Sequence, residues 1–256
     1  MNNNDENKQI SIFAAGQTID TIRHSGYKSA CNAIAELVDN SIQAEAENIQ
    51  MILFERNKEV NHRTIPRVHK ICVYDDGKGM NEEVMKICLR FGQGTNHEAK
   101  AGLGKFGIGL PLASVSQVKK VTVYSWQNGN CLKTYLDIDE IQTKGLDNLN
   151  PVVKCNLPTE HLKNTTCDVS KDHGTFIVWE KLDRVREKRA QTLHNQMEGN
   201  MCRIYRHYLD GDDTVGKRVD FKGVIINEDD ASQEKKVLAF AANDPSYLLT
   251  PNTLPD

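Results

Sequence analysis

Gly102–Leu110 reads GLGKFGIGL, and it follows a short FGQGT stretch at 91–95. Residues 92–109 hold six of the chain's 17 glycines and no long apolar run. Glycines let a backbone approach a ligand closely, and the amides that open a helix attract phosphate. The spacing predicts a loop that closes on a helix from about Gly107 to Ser116, with Pro111 tolerated in its first turn. Three familiar phosphate motifs do not fit. A dinucleotide fingerprint needs a hydrophobic strand before the glycines and an acidic residue about 20 positions on, and both are missing. A kinase needs HRD and DFG, and a P-loop needs GxxxxGK[ST]; the sequence has none of these. Taken alone, the segment also reads as a mobile loop with no ligand.

Upstream, Ser29–Ala44 is patterned as an amphipathic helix. Ala30, Ile34, Leu37, Val38, Ser41 and Ile42 share one side, and Glu36, Asn40 and Gln43 the other. Residues 48–55 and 70–75 are rich in Ile, Val and aromatics and predict strands. The second runs into Asp75-Asp76-Gly77-Lys78-Gly79, a turn signal. Asn81 is placed to cap a short helix with Glu82 and Glu83 in its first turn. Downstream, strands are predicted at 119–126 and 131–138, joined by the hairpin pair Asn128-Gly129. Residues 139–173 read as an irregular insertion. Gly174–Leu182 predicts a strand, 184–209 a charged helix, and 217–227 another strand. Strands and helices mix without strict alternation, so the expected class is an α/β sandwich with helices on one face of a mixed sheet.

Four blocks stand in order: Glu36-Leu37-Val38-Asp39-Asn40, Asp75-Asp76-Gly77-Lys78-Gly79, the glycine-rich loop, and Gly174-Thr175 at the head of a strand. Singly, each has a plain reading: the wet face of a helix, a turn, a loop, a strand residue. In this order, over about residues 20–182, they resemble the GHKL ATPase superfamily of gyrase B, the ninety-kilodalton heat-shock chaperone, MutL and the histidine kinases. Within it, AIAELVDNSI, DDGKGM, FG and GLGKFGIGL look most like the MORC-type and related bacterial ATPases. The resemblance implies a two-layer α/β sandwich of the Bergerat type that binds ATP and magnesium.

The resemblance also assigns roles. Glu36 matches the general base that polarises the attacking water. Asn40, one turn later on the same face, matches the magnesium ligand, an amide oxygen suited to a hard cation. Asp75 matches the carboxylate that accepts from the adenine amino group. Gly77 and Gly79 let the turn pass beneath the base, Met80 packs on it, and Thr175 supports the base and Asp75. Residues 92–106 match the ATP lid, which includes Gly94, Thr95, Gly102, Gly104, Lys105 and Phe106. The amides of Gly104, Lys105, Phe106, Gly107, Ile108 and Gly109, on to Leu110, would hold the phosphates, and Lys105 would add positive charge. One departure stands out: where many relatives carry Asp, three residues after the magnesium Asn, this chain has Gln43.

The bulk numbers are compatible with this and exclude little. Of 256 residues, 39% are hydrophobic and 26% charged, with a net charge of −3, so nothing demands nucleic acid or an anionic membrane. No apolar run approaches a membrane span, and the polar N-terminus is not signal-like. Seven Cys (31, 72, 88, 131, 155, 167 and 202) stand singly, which argues against a disulfide framework or a zinc site and for a reduced, cytoplasmic protein. The basic run Lys181, Arg184, Arg186, Lys188 and Arg189 is interleaved with Asp183 and Glu187 and lacks aromatics. It reads as a solvated helix face rather than a nucleic-acid patch.

The expected division is a tail at 1–28, an ATP-binding domain at 29–184, and at 185–256 a connecting helix with the start of a transducer-like domain. That last segment breaks off at Asp256 and reads as a fragment. The resemblance implies ATP-driven lid closure and homodimerisation, with 10–28 reaching across to the partner copy, and leaves DNA or a downstream effector protein as further partners. Two other functions share the pocket. A histidine-kinase-like phosphotransfer domain usually has Asn in place of Glu36, and a non-hydrolysing nucleotide sensor would not need it. In relatives a transducer Lys also touches the γ-phosphate. Lys217, Lys222, Lys235 and Lys236 sit in no recognisable catalytic loop, so the 256-residue chain is expected to bind ATP better than it hydrolyses it.

Overall fold

The computed structural model describes residues 15–91, 109–145, 149–170, 172–211, 218–230 and 234–242. Helix α1 (Ala15–Ser25) leads into α2 (Ala30–Gln43), which starts where Ser29 Oγ accepts from the Asn32 amide. A long hairpin follows, β1 (Asn48–Val60) and β2 (Arg63–Asp75). Its inner halves are the strands read from the sequence; the outer half of β1 is polar and exposed and that of β2 mostly half-buried, so no alternation of hydrophobicity marks them. The turn runs through Asn61 and His62, both at positive φ (50° and 61°), as a tight two-residue hairpin turn requires. Next come α3 (Glu82–Ile87), capped by Asn81 as expected, and α4 (Gly109–Gln117). Strands β3 (Lys120–Gln127) and β4 (Asn130–Asp137) close on Asn128 and Gly129, at φ 50° and 73°.

Two expectations need correction. The stretch 139–173 is not irregular: it holds α5 (Ile138–Lys144), β5 (Val153–Cys155) and α6 (Thr159–Leu162), and then β6 (His173–Glu180) begins. These pieces are too short for a periodic signal; β5 is defined by its pairing with β4. The long helix at 184–209 is two helices, α7 (Ala190–Ile204) and α8 (Arg206–Asp210), and 181–189 is not helical. Helix α7 starts where buried Glu55, from β1, accepts from the Ala190 amide at 2.7 Å, a cap from a distant strand that local sequence cannot announce. The basic run is therefore no helix face. Lys181 pairs with Asp137 and Asp139, Arg184 donates to the Arg23 carbonyl, and Lys188 donates to the Val185 carbonyl.

The chain ends its described course with β7 (Asp220–Asn227) and β8 (Lys236–Ala239). All eight strands form one sheet, ordered β5-β4-β3-β6-β2-β1-β7-β8. Every pairing is antiparallel except β1 with β7, so the sheet is mixed. Helices α1, α2, α4 and α7 pack on one face, over Ile49, Met51, Leu53, Val73, Val123, Ile177 and Trp179. The other face buries Ile52, Phe54, Tyr74, Trp126 and Phe176 beneath α6 and neighbouring loop residues such as Leu157 and Val169. The result is the α/β sandwich expected, with its larger helices on one side. The boundary read at residue 184 coincides with no break in the sheet. The described part of the 10–28 segment packs on its own chain: buried Arg23 ion-pairs with Asp183 at 2.7 Å and donates to the Val115 carbonyl of α4. Among the described residues no helix is long and apolar enough to cross a membrane.

Candidate functional site

Of α2, Asn32 alone is exposed, so Glu36 and Asn40 are half-buried rather than part of a solvated face. The Tyr27 hydroxyl donates to Glu36 Oε2 at 2.7 Å. Burial first, and the Glu36 carboxylate second, push the Tyr27 phenol well above its ordinary range, so it stays a donor. The other carboxylate oxygen faces the first residue of α4: a Cβ on Gly109 would lie 1.9 Å from Glu36 Oε1. Leu110 follows on the same helix. One turn after Glu36 stands Asn40, and between them Asp39 accepts from Tyr205 at 2.6 Å. Burial raises the Asp39 carboxyl; the Tyr205 bond pulls it back.

Strand β2 ends at Asp75, only 4% exposed. Its oxygens accept from Ser41 Oγ of α2 and from the Gly77 amide, each at 3.0 Å. Burial pushes this carboxyl up to about 7, and the neighbouring Asp76 charge adds to the rise, while the two hydrogen bonds and His173 oppose it. Asp76 is spent on structure: it accepts from the amides of Glu47 and Asn48 and from Asn48 Nδ2, tying the turn to the start of β1. The two turn glycines have separate reasons. A Cβ on Gly77 would sit 2.7 Å from the Ala44 Cβ, and Gly79 lies at φ +69° with the Trp126 carbonyl 2.3 Å from where its Cβ would be.

Register brings the fourth block to the same place. Thr175 is opposite Asp75 across β2–β6, and Ser125 is opposite Thr175 across β3–β6. Ser125 Oγ lies 3.1 Å from Thr175 Oγ1, donates to the Gly174 carbonyl, and accepts from the Met80 amide at 2.8 Å. Met80 packs at the edge of the helix-side core. Glu36, Asn40, Asp75, Gly77, Gly79, Met80, Gly109, Leu110 and Thr175 are thus distributed over α2, the end of β2, the start of α4 and the head of β6. Gly94, Thr95, Gly102, Gly104, Lys105, Phe106, Gly107 and Ile108 lie outside the described residues, as do residues 1–14 of the N-terminal tail. Gln43 is half-buried, and its amide nitrogen has no hydrogen-bond partner among the described residues.

Sequence reading missed Tyr27, Ser125, Trp126 and Tyr205. No local signal marks them: Ser125, for one, is an ordinary hydroxyl inside the strand KVTVYSWQ. Of the four distal lysines, Lys217 lies outside the described residues. Lys222 pairs with Asp220, Lys235 donates to the Lys163 carbonyl, and Lys236 donates to Gln191. Among the described residues no group of three or more His, Cys, Asp or Glu is arranged to hold a metal. A cation here would rest on the Asn40 amide and on oxygens that a ligand brings.

Comparison with known proteins bears on the same stretch. A family model described as histidine kinase-, DNA gyrase B- and HSP90-like ATPase matches residues 27–175. The DNA mismatch repair protein MutL of Borreliella afzelii (strain PKo) is 25% identical over 171 residues, 65% of this chain and 23% of that one. Protein MICRORCHIDIA 6 of Arabidopsis thaliana is 25% identical over 108 residues, 41% of this chain and 15% of that one. The chain thus spans about a quarter or less of these relatives. Among solved structures, the N-terminal domain of a DNA repair protein superposes with a TM-score of 0.54 at 16% identity, covering 88% of this chain and 56% of that one. That likeness is one of fold.

Proposed function

Because this chain belongs to the family of histidine kinase-, DNA gyrase B- and HSP90-like ATPases, we propose that it binds ATP with magnesium and hydrolyses it, with Glu36 as general base. The observation that carries this reading is the Glu36 carboxylate set against the glycine that opens α4. Amides at a helix start attract phosphate, and a carboxylate beside them is placed to take a proton from a water that attacks it. A histidine-kinase-like phosphotransfer domain has no attacking water to activate, so a base placed for water favours hydrolysis. Asp75 reads the adenine amino group, supported by Ser41 and by the hydroxyls of Thr175 and Ser125.

The residues fit the groups they would hold. With no side chain at Gly77 or Gly109, the turn after β2 closes on Ala44 and the start of α4 closes on the Glu36 carboxylate, which holds both ends of the site against α2. Asn40 offers a neutral oxygen donor, which suits a hard cation shared with phosphate oxygens. Bound magnesium would neutralise phosphate charge; the chain's own part is to orient water through Glu36 and the base through Asp75. The glycine-rich residues from Gly94 to Ile108 serve as the lid in this reading, and lid closure favours a dimer. Matches to both a MutL and a MICRORCHIDIA protein support a nucleotide-gated domain of the MORC type, acting on DNA or on a downstream partner.

Glu36→Gln should reduce phosphate release on the order of a hundredfold or more while ATP affinity stays near wild type. Asp75→Asn should instead weaken ATP binding and blunt discrimination against GTP, whose ring carbonyl would meet the carboxylate. Phosphate release, autophosphorylation from labelled ATP, and nucleotide titration separate the alternatives. Wild-type turnover by Glu36→Gln, or equal affinity for ATP and GTP in the wild type, contradicts the assigned roles.

A further inference from the structure

We propose that Tyr27 is a positioning residue for hydrolysis, fixing the Glu36 carboxylate so that one oxygen alone is presented to the attacking water. This rests on the reading of Glu36 as the base. A glutamate carboxylate turns easily about its last torsion, which has only broad, shallow preferences. Here each oxygen has a different neighbour. Oε2 accepts from the Tyr27 hydroxyl at 2.7 Å, and Oε1 fills the space that Gly109 leaves empty at the start of α4. The hydroxyl therefore selects which oxygen faces the helix opening where phosphate binds.

Tyr27 is itself held. Its carbonyl accepts from Gln117 Nε2 at 2.7 Å, and buried Gln117 is the last residue of α4. Its ring packs on the helix-side core. Helix α4 thus fixes the base from both ends, directly at Gly109 and through Tyr27 at Gln117. A hydrogen bond to a carboxylate weakens it slightly as a base. The gain is orientation, since a misplacement of about 1 Å can cost on the order of a hundredfold in rate. The family's four sequence blocks do not include this position, and Tyr27 touches neither the adenine end at Asp75 nor Asn40 in any hydrogen bond found among the described residues.

The test uses the full chain with Tyr27→Phe, Tyr27→His and Glu36→Gln, and a Tyr27→Phe/Glu36→Gln double variant. Hydrolysis of labelled ATP is followed with enzyme in excess, and ATP affinity is measured separately. Tyr27→Phe is expected to lower the rate of the chemical step roughly ten- to a hundredfold with ATP affinity within about twofold of wild type. Tyr27→His, which keeps a ring donor, should recover part of the rate. Adding Tyr27→Phe to Glu36→Gln should cost nothing further, because the hydroxyl acts only through the carboxylate. A second readout needs no nucleotide: in urea, the midpoint shifts of the two single variants should fail to add in the double variant.

If Tyr27→Phe turns over like wild type while Glu36→Gln is dead, the Tyr27 proposal falls and the base stands. If Glu36→Gln turns over like wild type, or the wild-type chain releases no phosphate, both fall together. Should Tyr27→Phe not fold, Tyr27→His is read against the same controls. Equal losses of rate and of ATP affinity would make Tyr27 merely structural and overturn the proposal.

Discussion

Asp75 shows how a single buried group links stability to ligand choice. Its carboxyl, at about 7, lies far above the ordinary aspartate value of 3.8. A folded-state value raised in this way favours the protonated form, so the contribution to stability is fully present below about pH 4 and is lost as pH rises through about 7. Replacing it with Asn removes that slope. The difference in melting temperature between Asp75→Asn and wild type, without nucleotide, should therefore grow by a few degrees from pH 5 to pH 8, in favour of the variant. Discrimination should move the opposite way. Ionised Asp75 accepts from adenine and repels a guanine carbonyl; protonated Asp75 can donate to that carbonyl. The preference for ATP over GTP should thus weaken below about pH 7. A flat melting difference and a pH-independent preference would together remove Asp75 from the base-reading role. Asp75 and Glu36 were singled out in sequence because each stands in one of four blocks that follow in a set order. Ser125 and Tyr27 were not, because a Ser in a strand and a Tyr before a helix are ordinary, and their roles arise only from register across β3–β6 and from the fold of 26–28 over α2.

Between elements, the tie that sequence hides most completely is the one from α7 to α2. The break between α7 and α8 falls at Tyr205, whose hydroxyl donates to Asp39 Oδ1 at 2.6 Å and lies 3.0 Å from the Ala35 carbonyl. Both acceptors flank Glu36 on α2. Tyr205→Phe removes a donor from a carboxylate already raised by burial, and should raise that carboxyl further. The cost should be about 1–3 kcal/mol, read as a lower urea midpoint at neutral pH, and should shrink in acid as Asp39 takes up a proton. An unchanged midpoint would show that α7 is held by apolar packing alone. Sequence did disclose the elements that carry their own punctuation: the Asn81 cap and the Asn128-Gly129 hairpin. It missed those defined by a distant partner. Glu55 starts α7 from β1, and β5 exists only as a neighbour of β4.

For the molecule as a whole, the decisive fact is where β7 lies. The four blocks of the motif end at Thr175, and a reader of sequence would cut the chain soon after β6. The sheet runs on past that point, through β7 and β8. Strand β7 pairs with β1 along its full length, from Asn48↔Asp220 to Glu55↔Asn227. Helix α7 buries Leu193, Met197 and Met201 completely on the same face as α2. Phe221 and Phe240 stack with ring centres 4.0 Å apart, closing that end of the core. A parallel pairing between strands so distant in sequence gives no local signal, since neither strand's pattern names its neighbour. A chain ending at residue 184 would leave β1 with a bare row of amides and carbonyls and would uncover the apolar surface beneath α7. Exposing buried Leu, Met and Phe side chains costs about 1.5–3 kcal/mol each, so the handful involved rivals the whole stability of a domain, about 5–15 kcal/mol. Residues 1–184 alone should therefore aggregate or unfold without a cooperative transition, and should not bind ATP, although every motif residue is present. A chain of residues 1–242, which keeps β7 and β8, should melt cooperatively and bind ATP as the full chain does. Circular dichroism melts and nucleotide titration of the two chains decide the matter. A cooperative melt and full ATP affinity for residues 1–184 would show that the nucleotide site stands on a self-sufficient unit and that β7 is an addition to it.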